Sequence, residues 1–255
     1  MKQILGLFAC ALLVFSCTEV EQFDTTENSA ISGKYNTMIA VEDFIYAVTD
    51  NALVTLERDE QDLKEVDRHE LGERIENLYH AENALFIGSE TDMHIFSIKN
   101  NGIPRLQSST EHIEFRNTDV RVCDPVVAQQ EIAYVTISST APSGDPCGGF
   151  IQVDELRSYD VADLSNPTLV NTEVMPSPQG LSIDRDLLFV TNLTTSTRVY
   201  EIDHNGGFNL VNNIPGAAHD VIAQDGKVLI VSSTEIKQYD YTNVNDIRHY
   251  ATIKL

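Results

Sequence analysis

Arg157-Ser-Tyr-Asp-Val-Ala-Asp-Leu-Ser-Asn-Pro-Thr-Leu-Val-Asn-Thr172 carries the pattern on which the architecture rests. Apolar and polar residues alternate to Val161, a Ser165-Asn166-Pro167 turn follows, and a second apolar run starts at Leu169. That order makes a β-hairpin. Comparable strand pairs around a polar turn recur over 93–108, 198–212 and 237–253, with a degenerate copy over 52–68. A chain of repeated hairpins needs a fold in which hairpins stack.

The spacing of the most apolar strands says which fold. Phe44-Ile-Tyr-Ala-Val48, Ala84-Leu-Phe-Ile-Gly88, Ile132-Ala-Tyr-Val-Thr136, Leu187-Leu-Phe-Val-Thr191 and Lys227-Val-Leu-Ile-Val231 align without gaps. Taking Ile45, Leu85, Ala133, Leu188 and Val228 as equivalent, the separations are 40, 48, 55 and 40 residues. A period near 40 built only of strands predicts an all-β propeller of five four-stranded blades. Helical repeats do not fit, because no apolar stripe runs at i, i+3, i+4.

Each unit reads as an inner strand (36–41, 77–81, 125–128, 180–183, 220–223), a polar turn, the apolar second strand, an alternating third strand and a short outer strand. Runs buried on both faces lie inside and alternating strands lie outside, as blades packed face to face require. The units fall at about 33–72, 73–113, 114–176, 177–216 and 217–255. The third is lengthened over 111–124 and again over 138–150. The ring can close in two ways, by blade packing alone or with 29–32 as an added edge strand.

Composition bounds the setting. The 255 residues carry 17 basic and 39 acidic side chains, a formal charge of -22. A surface this acidic repels phosphate backbones, so nucleic acid is excluded as a partner. Residues 1–16 differ in kind, with Lys2 followed by an unbroken apolar run from Ile4 to Phe15. Twelve residues at 1.5 Å rise reach about 18 Å, too short for a hydrocarbon core of about 30 Å, so the run reads as an export signal. Val14-Phe-Ser-Cys17 looks like a bacterial lipobox, in which Cys17 is lipidated and becomes the mature N-terminus. Palmitate-type acyl chains there contribute about 0.8 kcal/mol per buried methylene, enough for stable membrane anchoring with more than one chain. Residues 17–32 are polar with scattered acids and no apolar period, which fits a flexible tether. The expectation is a propeller leashed by lipid in the bacterial cell envelope, at the outer membrane.

Cys10 leaves with the signal and Cys17 takes the lipid, so Cys123 and Cys147 remain. In an oxidising compartment two remaining thiols suggest a disulfide, worth roughly 3 kcal/mol in the chain-entropy account. Neither belongs to a Cys-x-x-Cys pair and no histidine lies between them, which argues against a metal or redox role.

Tyr159-Asp-Val-Ala-Asp-Leu-Ser-Asn-Pro-Thr-Leu-Val170 resembles the strand, Asp-x-Ser-Asp-Pro-x-Asn-Pro-like turn and apolar strand of LVIVD-repeat β-propeller lipoproteins of Bacteroidetes-type bacteria. Cys123-Asp-Pro-Val-Val127 with Cys147-Gly-Gly149 also looks like a feature of that family. The turn is well kept only in the third unit. Asn100-Asn-Gly-Ile-Pro104, Asp203-His-Asn-Gly-Gly207 and Thr242-Asn-Val-Asn-Asp246 keep turn chemistry without the consensus. The resemblance implies a cell-envelope lipoprotein with a propeller domain, and it supplies no catalytic residue.

Sites on propellers usually lie at the axial mouth, where inner strands begin. Asn36, Asn77, Asp124, Gln179, His219 and Asp220 enter those strands and are the binding candidates. His219 and Asp220 are adjacent in sequence and point to opposite faces of a strand, a poor arrangement for an orienting pair. The seven histidines show no metal spacing, and no Asp-x-Asp-x-Asp-Gly calcium loop, phosphate loop or Gly-x-Ser-x-Gly elbow occurs. No cofactor and no metal is expected. The leading expectation is a non-enzymatic binding or scaffolding platform for an envelope protein or glycan. A carbohydrate-active hydrolase or lyase at the axial mouth is the alternative, and it rests on fold analogy alone.

Overall fold

The computed structural model describes residues 35–59, 62–112, 125–138 and 153–255. Cys17, Cys123, Asp124, Cys147 and most of both third-unit insertions lie outside them. Five four-stranded antiparallel sheets follow one another along the chain. The first is β1 (Thr37–Val41), β2 (Phe44–Val48), β3 (Ala52–Asp59) and β4 (Asp62–Glu70). The second is β5 (Ile75–Ala81), β6 (Ala84–Ser89), β7 (Asp92–Ile98) and β8 (Pro104–Glu111). The third is β9 (Val126–Gln129), β10 (Ile132–Ser138), β11 (Asp154–Asp160) and β12 (Thr168–Val174). The fourth is β13 (Pro178–Asp184), β14 (Leu187–Asn192), β15 (Ser196–Ile202) and β16 (Phe208–Pro215). The fifth is β17 (Asp220–Gln224), β18 (Lys227–Val231), β19 (Glu235–Asp240) and β20 (Arg248–Lys254). These are the five four-stranded blades that the 40-residue spacing predicts, and the hairpin over 157–172 is the β11–β12 edge of the third.

Local chemistry sets the blades. In every blade the first two strands are joined by a two-residue turn whose first residue has positive φ: Glu42, Glu82, Gln130, Arg185 and Asp225. Tight turns that enter the left-handed region match the right-handed twist of the strands they join. They also fix the register. The third residue after each turn is Tyr46, Phe86, Tyr134, Phe189 or Leu229, paired with Ile39, Tyr79, Val127, Ser182 and Ile222 respectively.

That repeated position holds the blades together. Tyr46 packs with Leu78, Leu85 and Ile87 of the second blade. Phe86 packs with Ala128, Ala133 and Val135 of the third. Tyr134 joins Leu181, Leu188 and Val190 of the fourth, and Phe189 joins Val221, Val228 and Ile230 of the fifth. A projecting ring on one blade thus seats on the receiving face of the next. Each buried aromatic side chain removes 150–250 Å² or so from water, the main stabilising contribution between sheets.

The series stops at the fifth blade. β1 packs on β5, β5 on β9, β9 on β13 and β13 on β17, and among the described residues no packing of that extent returns from β17 to β1. Leu229 is 38% exposed and Ile222 55% exposed on the fifth blade, while Met38 on the first is 61% exposed. Of the two closures open to the sequence, packing of the last blade on the first is absent among the described residues, and 29–32 lies outside them. Among the described residues the blades form an open arc.

Candidate functional site

Because each inner strand starts at the same end of its blade, the sequence candidates gather at that end, and hydrogen bonds across neighbouring blades occupy several of them. Asn77 on β5 donates from Nδ2 to Val126 O (2.8 Å) and accepts from Val126 N (3.0 Å), clasping the start of β9. Gln179 on β13 donates to Ser138 Oγ (3.2 Å), and its carbonyl accepts from Thr136 Oγ1 at 2.6 Å. The His219 carbonyl accepts from Gly180 N at 3.1 Å and from Thr191 Oγ1 at 3.3 Å. A Cβ on Gly180 would stand 2.4 Å from Asp220 Oδ1 and 2.8 Å from Asp220 Cα, so glycine lets these two inner strands approach. Desolvation at this spot pushes the Asp220 carboxyl above the ordinary aspartate range, against the pull of the Val221 amide. Asn36 lies apart, bonded within its own blade to Thr49 O and Asp50 Oδ1. The structure therefore brings Asn77 to the second and third blades and Gln179, His219 and Asp220 to the third, fourth and fifth.

At the same end, an acid-base chain runs along the rim of the second blade. Glu73 Oε1 lies 2.6 Å from His94 Nε2, and His94 Nδ1 lies 2.8 Å from the hydroxyl of exposed Ser109. Desolvation raises the Glu73 pKa, but hydrogen bonds from His94 and Thr91 outweigh it and hold the carboxyl below the usual glutamate range. The composition resembles a nucleophile, base and orienting acid. Its place in the repeat gives another account. His94 is register-equivalent to Arg157, Arg198 and Lys237, each paired across from the residue after the projecting side chain. Those cations also meet carboxylates: Arg157 with Glu155 at 2.7 Å, Arg198 with Glu173 at 2.6 Å and Lys237 with Glu235 at 2.6 Å. Since Glu173 sits on β12 and Arg198 on β15, this pair clamps the third blade to the fourth. The histidine occupies the second blade's copy of that cation position.

Two clefts open at the opposite end, among the turns that the sequence reading took only as connections. One, of about 290 Å³, lies between the second and third blades and is lined by Asn83, Lys99, Gln129 and Leu164. The other, of about 380 Å³, lies between the first and second blades, with Phe44, His80 and Asn100 on its walls. Glu82, Asn83, Ile98 and Lys99 line both, so the two clefts adjoin over the turns of the second blade. The Tyr46 hydroxyl donates to Gly102 O at 2.8 Å in the wall of the second and is pushed up to about 12 by burial and then by Glu42. A lysine among carboxylates, amides and ring edges can hold a polar ligand by hydrogen bonds and apolar contact. None of the sequence candidates lines these clefts. Asn83 and Asn100 are turn residues by type, which hid them.

No family model matches the sequence, and no curated protein matches it. Solved structures do. A protein from Lactobacillus plantarum superposes with a TM-score of 0.65 at 13% identity, over 84% of this chain and 69% of that one. A functionally unknown protein from Desulfotomaculum acetoxidans gives 0.67 at 11% identity, over 88% and 71%. AztD from Citrobacter koseri gives 0.56 at 13% identity, over 86% and 61%. At such identities the likeness is one of fold, a β-propeller. Most of this chain matches, while roughly a third of each neighbour lies outside the match.

Proposed function

We propose that this chain is a non-enzymatic binding platform of the bacterial cell envelope, of the LVIVD-repeat lipoprotein kind, tethered through lipid on Cys17 and stapled by Cys123 and Cys147. The observation that carries the binding role is the pair of adjoining clefts over the second blade, which share Lys99 and Asn83. Its mix of amides, carboxylates and one lysine on a rigid sheet suits the hydroxyls of a glycan, or a polar peptide segment from an envelope protein. Titration of the chain with envelope glycan fragments, alongside capture of envelope proteins, tests it. Lys99→Ala with Asn83→Ala is expected to weaken binding at least tenfold, while His219→Ala at the other end leaves it unchanged. The reverse pattern moves the site to the axial mouth, and no binding by either class rejects the reading.

The second reading, a carbohydrate-active hydrolase or lyase, is favoured by the Glu73, His94 and Ser109 chain alone. It requires turnover of a glycan that Ser109→Ala abolishes. Binding without turnover rejects this second reading.

A further inference from the structure

Four times in this molecule a projecting ring on one blade seats on the receiving face of the next, through Tyr46, Phe86, Tyr134 and Phe189. Leu229 occupies the same register on the fifth blade and is 38% exposed. Ile222 and Ile253 share its face at 55% and 63% exposure. At the other end of the arc, the receiving face of the first blade presents Met38 and Ala40 to solvent, while Ala47, Val54 and Leu56 on the same face are buried. The molecule therefore carries one unmatched projecting face and one partly open receiving face of the kind it joins four times internally.

Charge separates these two faces from the rest. The whole chain carries a formal -22. On the projecting face, cross-strand register groups Asp240 with Lys227 and Arg248, and Arg248 also pairs with Asp246. On the receiving face it groups Glu65 and Glu70 with Arg58 and Arg68. Two acids balance two bases on each, so the repulsion expected between copies of so acidic a chain is locally absent where the arc ends.

We propose that the chain associates with itself head to tail, the fifth blade of one copy packing on the first blade of a second in the register used inside the chain. The contact is heterologous and leaves one face of each kind free, so assembly proceeds beyond the dimer. It is independent of the clefts over the second blade, and a monomer that binds glycan would reject this inference while leaving that reading intact.

Sedimentation velocity of the full chain over a concentration series tests it, with Leu229→Asp and Met38→Asp as the variants. Both positions are exposed, and circular dichroism verifies that each variant keeps its strands. The wild-type mass average should rise with concentration, and each variant alone should associate at least tenfold more weakly. An equimolar mixture of the two should form a dimer and nothing larger, because each supplies the face the other lacks. A wild-type chain that stays monomeric, an association that Met38→Asp leaves intact, or a mixture that stays monomeric overturns the proposal.

Discussion

His112 is strongly governed by its surroundings. It is buried, its Nδ1 lies 3.2 Å from the Tyr159 hydroxyl, and its pKa is lowered to about 3 by desolvation and then by the Arg157 charge. The unfolded chain binds a proton there near pH 6.5 and the folded chain does not until about 3, so folding stability is complete above 6.5 and is lost as pH falls through that window. Urea midpoints of His112→Gln should fall less steeply with acid between pH 6.5 and 4 than those of the wild type, and an unchanged slope would show that other groups control acid unfolding. Gly180 makes a steric claim. Its absent Cβ leaves room for the Asp220 backbone and carboxylate, so Gly180→Ala should cost about 1–3 kcal/mol, the usual range for overpacking. A neutral substitution would mean that β13 and β17 can separate freely. The sequence marked His219 and Asp220 as neighbours of a mouth, but the Gly180 contact joins residues 40 apart. The Glu73, His94 and Ser109 chain was hidden for the same reason, since no local motif places a loop residue and residues of two strands together across a blade.

At the scale of the element, strands, turns and register were legible because they depend on neighbours in sequence. Alternation at Tyr159 and Tyr200 and two-residue turns such as Arg185-Asp186 define a four-stranded blade without reference to any other. The large apolar residue at the third position after each turn, aromatic in four of the five blades, could also be read from aligned repeats, and its packing role follows from the structure. This gives a comparison at one register position. Phe189→Ala removes a ring enclosed between the fourth and fifth blades and should cost about 3–5 kcal/mol, as for other enclosed aromatic residues. Leu229→Ala, at dilute protein concentration, should cost under about 1 kcal/mol, because the side chain already meets water. Denaturant titration of both variants decides this, and equal losses would mean that the fifth blade's outer face is covered within the monomer.

For the whole molecule, what the sequence did not yield was the angle between blades. Alternation shows which face of a strand is apolar, but the number of blades needed to close a ring depends on how each sheet sits on the next, a property of packing across 40 residues or more. The five units were therefore readable and the open arc was not. The arc also explains why apolar inner-strand positions such as Ile222, Leu229 and Met38 remain in solvent. Nitroxide labels at Met38 and Ile222 of one molecule, diluted in unlabelled chain and read by double electron–electron resonance, test that geometry directly. Sheets packed face to face lie about 10 Å apart. An open arc predicts a distance distribution well beyond that spacing, and a distribution centred on it would show that the fifth blade closes on the first.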